Sequence, residues 1–173
     1  ADALERGGHQ VVRARPGGSF AQESLRSYTL DPRAREQYGR LLAALRESGA
    51  WPDCIVHAWS VSGAEQPGLD PAAIRATLDA GFYSLLWLAQ ALGEQAGDQR
   101  LRLWVLADGA QRVESGDATC PTKATLLGPC QVIPQEYEQL ACGLVDIAVP
   151  PAASARRRQL IAQIAAELRA APD

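Results

Sequence analysis

The sequence predicts a single α/β domain of truncated Rossmann-like form, with a mainly parallel sheet flanked by helices in three layers. Three observations carry that expectation. Short apolar runs of strand character, Cys54–Trp59, Leu101–Ala107 and Cys142–Val149, are separated by segments of helical periodicity. Each separating segment is long enough for the crossover that joins parallel strands, and such crossovers are right-handed. The chain has 173 residues, the size of one compact domain.

In chain order, residues 1–8 read as a linker. His9–Arg15 (HQVVRAR) alternates apolar and polar side chains before Pro16-Gly17-Gly18, the pattern of an edge or half-buried strand ending in a turn. Ser27–Leu30 is a second short extended piece. Asp31-Pro32 is expected to open a helix, with Asp31 capping free N–H groups and proline supplying the first helical φ. Tyr38, Leu41, Leu42 and Leu45 recur at helical spacing, and Gly49 ends the run. Cys54–Trp59 is apolar enough to be buried on both faces, as strands of a parallel sheet are. The loop Ser60–Leu69 carries Gly63, Pro67 and Gly68. A second Asp-Pro pair, Asp70-Pro71, opens a long helix to about Leu92. Leu101–Ala107 leads to a turn at Asp108-Gly109. Thr122 is expected to cap a helix from Lys123 towards Glu136, interrupted at Gly128-Pro129. After the last strand and Pro150-Pro151, Ser154 caps an amphipathic helix with Leu160, Ile161, Ile164 and Leu168 on one face.

The helix after Asp70-Pro71 has too few polar residues for one buried face and one wet face. Ile74, Leu78, Phe82, Leu85 and Ala89 form one apolar stripe. Tyr83 and Trp87 form a second, aromatic strip at i and i+4, and between Phe82 and Leu92 only Tyr83, Ser84 and Gln90 are polar. Burial on two sides is expected, with Tyr83 and Trp87 either covered by loops of the same domain or, as candidates, in contact with another domain.

Composition removes several function classes. Net charge is −3 and the isoelectric point is near 5.4, so the overall charge gives no pull towards nucleic acid or anionic lipid. No apolar run approaches the roughly 18 residues of a membrane helix, and ADALERGGHQ is no secretory signal, so a cytoplasmic protein is expected. There is no Met, even at position 1, which suggests a piece of a longer polypeptide. Cys54, Cys120, Cys130 and Cys142 include no C-x-x-C pair and, with only His9 and His57 to join them, match no zinc pattern. Reduced, metal-free thiols are expected.

The chemistry of a dinucleotide reductase is missing. No G-x-G-x-x-G follows any expected strand, so no backbone cradle for a pyrophosphate forms at a helix N-terminus. A G-x-x-x-x-G-K loop is impossible, because Lys123 is the only lysine and follows Thr122. A short-chain reductase also needs a tyrosine four residues before a lysine; the tyrosine protonates the forming alkoxide and the ammonium lowers its pKa. Position 119 is Thr, so that dyad cannot exist here. Three residues stay as candidates for unrelated chemistry. His57 sits mid-strand, where a hydrogen-bonded structural role competes with base catalysis. Asp146 lies in a strand and could act as a base or bond loop N–H groups. Cys130 follows Pro129 and could be a nucleophile or packing. The Arg156-Arg157-Arg158 run suits a solvated helix face better than a phosphate grip.

The stretch Lys123–Asp146, KATLLGPCQVIPQEYEQLACGLVD, resembles the end of the N-terminal structural half of modular polyketide synthase ketoreductases. Ala124, Leu127, Gly128, Val132, Glu136 and Leu144-Val145-Asp146 match that family's pattern, with Gln131 in place of its arginine. Its G-P-C-x-V-I-P-Q-E wording resembles the subgroup of hybrid peptide–polyketide assembly lines. Pro52–Ser60 and Gly81–Leu92 resemble the same half, and the likeness covers about residues 8–150. The resemblance implies a non-catalytic, pseudo-ketoreductase subdomain without a cofactor. It also implies a partner catalytic subdomain that binds NADPH and reduces β-ketoacyl-carrier-protein intermediates, and neighbouring synthase domains in the same polypeptide. An alternative keeps the fold and changes the job, to a scaffold for an adjacent C-methyltransferase or enoylreductase with no reductase role. A third reading is an independent enzyme built on His57, Cys130 or Asp146.

Overall fold

The computed structural model describes residues 2–63, 70–112, 119–151 and 154–168. Its centre is a three-stranded parallel sheet in the order β4-β5-β6, formed by Cys54–Ser60, Leu101–Ala107 and Leu140–Asp146. A smaller sheet precedes it in the chain, ordered β1-β3-β2, from Arg13–Pro16, Ser27–Leu30 and Ala21–Ser24. In that sheet β1 runs parallel to β3 and β2 antiparallel to it. The Trp59 indole N–H donates to the Ala14 carbonyl at 3.3 Å and ties β4 to β1.

Period-two alternation along β5 decides the layers. Leu103, Val105 and Ala107 are fully buried and share one core with Tyr28, Leu42, Leu85 and Leu92. That core joins the sheets to α2 (Arg35–Glu47), α4 (Ser84–Gln95) and α6 (Leu127–Glu136). Arg102 points to the opposite face, where its guanidinium donates to the Leu168 carbonyl just after α7 (Ala155–Glu167). Helices therefore lie on both faces, and the expected three-layer α/β architecture is present. Close approach fixes one contact within it. A Cβ on Gly93 in α4 would come within 2.1 Å of the Tyr137 ring, so only glycine lets the α6–β6 turn pack there.

Several boundaries differ from the sequence reading, each for a physical reason. Residues 2–6, read as linker, form a short helix α1 (Asp2–Arg6), whose Asp2 and Glu5 pair with Arg13 at 3.1 and 3.2 Å. The first strand begins at Arg13 rather than His9. Asp31 does not cap α2: its carboxylate takes the Arg33 N–H at 2.9 Å in a local turn, and the helix starts at Arg35 with no side-chain cap. That turn leaves the Asp31 carboxyl below its usual range, mainly through hydrogen bonds from Arg33. β4 is not buried on both faces, because it pairs with β5 alone in its sheet; Ala58 is exposed and Cys54, Ile55 and Val56 are half-buried.

The long helix after Asp70-Pro71 is one path with a defect. Asp70 caps α3 (Pro71–Leu78) by accepting from Ala72 and Ala73 N–H, as expected. A π-turn at Asp79–Tyr83 then leads into α4, which continues to Gln95. That insertion shifts the buried face to Ser84, Leu85, Leu88, Ala89, Ala91 and Leu92, leaving Ile74, Leu78 and Phe82 only half-buried. Thr122 caps nothing by its side chain. Cys120 precedes a four-residue helix, α5 (Pro121–Ala124), and the break falls at Thr125-Leu126. Gly128-Pro129 lie inside the first turn of α6, where proline is tolerated. β6 spans Leu140–Asp146 rather than Cys142–Val149. Ser154 does cap α7, accepting from Arg157 N–H at 3.1 Å, but Ile161 is 45% exposed, so only part of the expected apolar face is covered. Pro67 and Gly68 lie outside the described residues.

Candidate functional site

In parallel sheets, ligands bind beyond the carboxyl ends of the strands. Here that edge holds the ends of β4 and β5, the turn after each, and Lys123 from α5. Lys123 is 2% exposed and Asp108 4%. The Lys123 ammonium donates to the Asp108 carboxylate, to the Asp108 carbonyl at 3.1 Å and to Ser62 Oγ at 2.6 Å. The same carboxylate accepts from Ser62 N–H at 3.1 Å and Gly63 N–H at 2.8 Å. An ion in so dry a place must have its partners at hand, and these do. Beside them lies a cleft of about 210 Å³, lined by Trp59, Ser60, Ser62, Ala80 and Lys123 among others. All three ammonium protons are already engaged, so Lys123 has no donor free for a ligand.

Asp146, at the end of β6, accepts from Gln111 N–H at 2.7 Å through Oδ2, and its other oxygen is buried without a partner among the described residues. His57 is buried in the middle of β4, away from that edge. Its Nε2 lies 2.7 Å from Ser84 Oγ. The Ser84 hydroxyl in turn reaches the Ala80 and Gly81 carbonyls at 2.6 and 3.0 Å, within the π-turn. Burial drops the His57 pKa to about 4, so the ring is neutral near pH 7. The ring is held through its Nε2 contact with Ser84, and its Nδ1 is unpartnered among the described residues. Tyr38, 2% exposed, donates to the Pro32 carbonyl at 2.9 Å, and burial pushes its hydroxyl well above the ordinary range.

Cys130 on α6 and Cys142 on β6 are both buried, and the Cys130 contact together with burial pushes the Cys142 thiol far up. Burial also raises the Cys54 thiol. None of the four cysteines is in a disulfide. Among the described residues no cluster of three His, Cys, Asp or Glu is placed to hold a metal. The structure does not bring His57, Cys130 and Asp146 together: one is mid-strand, one on a helix and one at a strand end. The buried Lys123–Asp108–Ser62 group escaped sequence reasoning, because its members lie 15 and 46 residues apart in chains of contact that no local motif spans.

A different surface collects the aromatic side chains. On the outer side of the π-turn and α4, Tyr83 and Trp87 are half-buried, with ring centroids 6.3 Å apart and planes 21° from parallel. The Arg75 guanidinium lies 5.2 Å from the Tyr83 ring and that of Arg35 5.7 Å from Trp87. A cleft of about 330 Å³ runs beside Trp87, between Arg35, Gly39, Ala91 and Glu94. Arg35 bridges it to Glu94 at 3.2 Å.

The model of the family described as beta-ketoacyl synthase-like, N-terminal, matches residues 2–166. The chain belongs to that family. Its fold recurs in an N-terminal ketoreductase from the macrolactin assembly line, with TM-score 0.78 and 16% identity over 98% of this chain. It also recurs in an adenylation, ketoreductase and pseudo-Asub multidomain structure of a keto acid-selecting NRPS module, with TM-score 0.76 and 18% identity over 89%. The chain spans 33% and 13% of those two proteins. A short-chain dehydrogenase from Burkholderia cenocepacia, in complex with NADP, matches 80% of this chain and 61% of its own at TM-score 0.55 and 19% identity. No curated protein matches. At such identities the likeness is one of fold, and it agrees with the ketoreductase-related subdomain that Lys123–Asp146 resembles. No helix among the described residues is long and apolar enough to cross a membrane.

Proposed function

We propose that this member of the beta-ketoacyl synthase-like, N-terminal family is the non-catalytic structural half of a polyketide-type ketoreductase. Its task is to support a catalytic half outside this chain, which binds NADPH and reduces β-ketoacyl-carrier-protein intermediates. The observation that carries the reading is the strand edge where a reductase would hold its cofactor. An internal ion pair, Lys123 with Asp108, occupies it, and Thr119 stands where the proton-donating tyrosine would have to be. The half-buried Tyr83–Trp87 strip is the surface offered to the catalytic half or to a neighbouring synthase domain. A cytoplasmic multienzyme of this kind keeps its thiols reduced.

Titration of the purified chain with NADPH, followed by nucleotide fluorescence or heat, is expected to give no saturable binding. Binding in the micromolar range would overturn the proposal.

A further inference from the structure

Asp108 is more than the counter-ion of Lys123. The Ser62 and Gly63 N–H groups are consecutive and donate to the two oxygens of the one carboxylate, Ser62 to Oδ1 and Gly63 to Oδ2, in a turn where Gly63 has φ +82. Successive amides arranged in this way form a concavity for an anion. The Ser62 hydroxyl, 3.4 Å from Oδ2, and the Lys123 ammonium complete a ring of donors around one carboxylate. Two backbone amides, a hydroxyl and a buried cation are more than a single ion pair requires, and they have the composition of an oxyanion-binding site. It stands between the ends of two adjacent parallel strands, where such sheets take the charged part of a ligand.

We propose that Ser62, Gly63 and Lys123 form a built oxyanion site whose occupant in this protein is its own Asp108 carboxylate. A small planar carboxylate is the class of ligand it takes when that side chain is withdrawn. The donors come from the turn after β4 and from α5, and the acceptor from the end of β5. The internal anion thus clasps three elements together while keeping external anions out. Ser62 itself is at the surface, which gives a solvent ion a path to the vacated place. This inference deepens the reading of the chain as a half without a cofactor site, and it rests on that reading for its biological sense.

The test is chemical rescue. Asp108→Ala removes the carboxylate and leaves a space the size of formate. In chloride buffer the melting temperature of the variant is expected to fall by on the order of 10 °C, since a buried ammonium loses its partner. Sodium formate at the same ionic strength is expected to restore at least half of that loss. It should have no such effect on the wild-type chain, or on Asp108→Ala combined with Lys123→Met. Equal responses to formate and chloride, or equal responses of variant and wild type, would overturn the site. If Asp108→Ala does not fold in chloride, refolding is repeated in formate and followed by tryptophan fluorescence. Recovery of the native signal supports the site, and failure to recover it overturns it. NADPH binding by the wild-type chain would sink the functional reading instead and leave the rescue result standing.

Discussion

Two surfaces of this domain have exchanged the roles expected of them. The carboxyl edge of the parallel sheet is where such folds do chemistry, and here it is closed by Asp108, Lys123 and the Ser62–Gly63 amides. The outer side of a flanking helix is ordinarily polar and wet. Here it carries Tyr83 and Trp87, steadied by Arg75 and Arg35. At these two surfaces a charged pair is buried and an aromatic pair is left half-exposed. The proposed function gives the aromatic strip a use in contact, since tryptophan, tyrosine and arginine supply most interface energy.

The strongest way to break the comparison is to disturb the closed edge. Asp108→Ala leaves a buried, unpaired ammonium and is expected to cost about 3–5 kcal/mol. Lys123→Met should cost less, because the Asp108 carboxylate keeps its two backbone amides and the Ser62 hydroxyl. The double variant should be more stable than the sum of the single losses implies, which chemical denaturation of all four chains would measure. Additive losses would mean that the pair is not a closing device but two unrelated polar residues.

Acid tests a different buried polar group, His57, which belongs to neither surface but holds the π-turn that separates them. Folded His57 binds its proton only near pH 4, against 6.5 for an ordinary histidine. Between those values the unfolded chain binds more protons than the folded one. Stability present above pH 6.5 is therefore lost as pH falls towards 4, by about 3 kcal/mol at most from this group. His57→Gln should flatten that part of the curve of stability against pH while leaving the rest of the acid limb. An unchanged slope between pH 6.5 and 4 would show that the ring is not held neutral by its burial.

What the sequence made legible followed from local pattern. Leu101–Ala107 and Ser27–Leu30 were readable because their side chains meet the core at strand spacing, and the helix from Asp70-Pro71 because its cap and apolar positions lie close together. Ala21–Ser24 was not readable as a strand: every residue of it is exposed, so no apolar alternation marks it. The Asp31 cap failed because the carboxylate found a nearer donor in Arg33. The π-turn left no mark in composition, since it answers to Ser84 and His57 across 27 residues. The same reason hid the closed edge. Lys123 was visible as the only lysine, but its burial is a property of where Ser62 and Asp108 arrive in space, and only folding brings them there.

The smallest expected effect on the chain alone comes from the aromatic strip, and its smallness is the point. Trp87 packs partly against the core yet stays half-exposed, stacked on Tyr83 and under the Arg35 guanidinium. Truncating a fully buried tryptophan costs about 3–5 kcal/mol, whereas a half-buried one has much of its surface already in water. Its contact with arginine adds roughly 0.5–1 kcal/mol at an exposed site. Trp87→Ala should therefore destabilise this chain by no more than about 2 kcal/mol, measured by denaturant unfolding. If the strip is the proposed interface, the same substitution should do more harm in a complete ketoreductase, where the remaining ring surface would be buried against the partner. Comparing the two losses isolates the contact: a larger loss of stability or of reductase activity in the complete protein assigns the strip to an interface. Equal losses in both would return Trp87 to the domain's own core, and the contrast between the closed edge and the aromatic face would then describe packing alone.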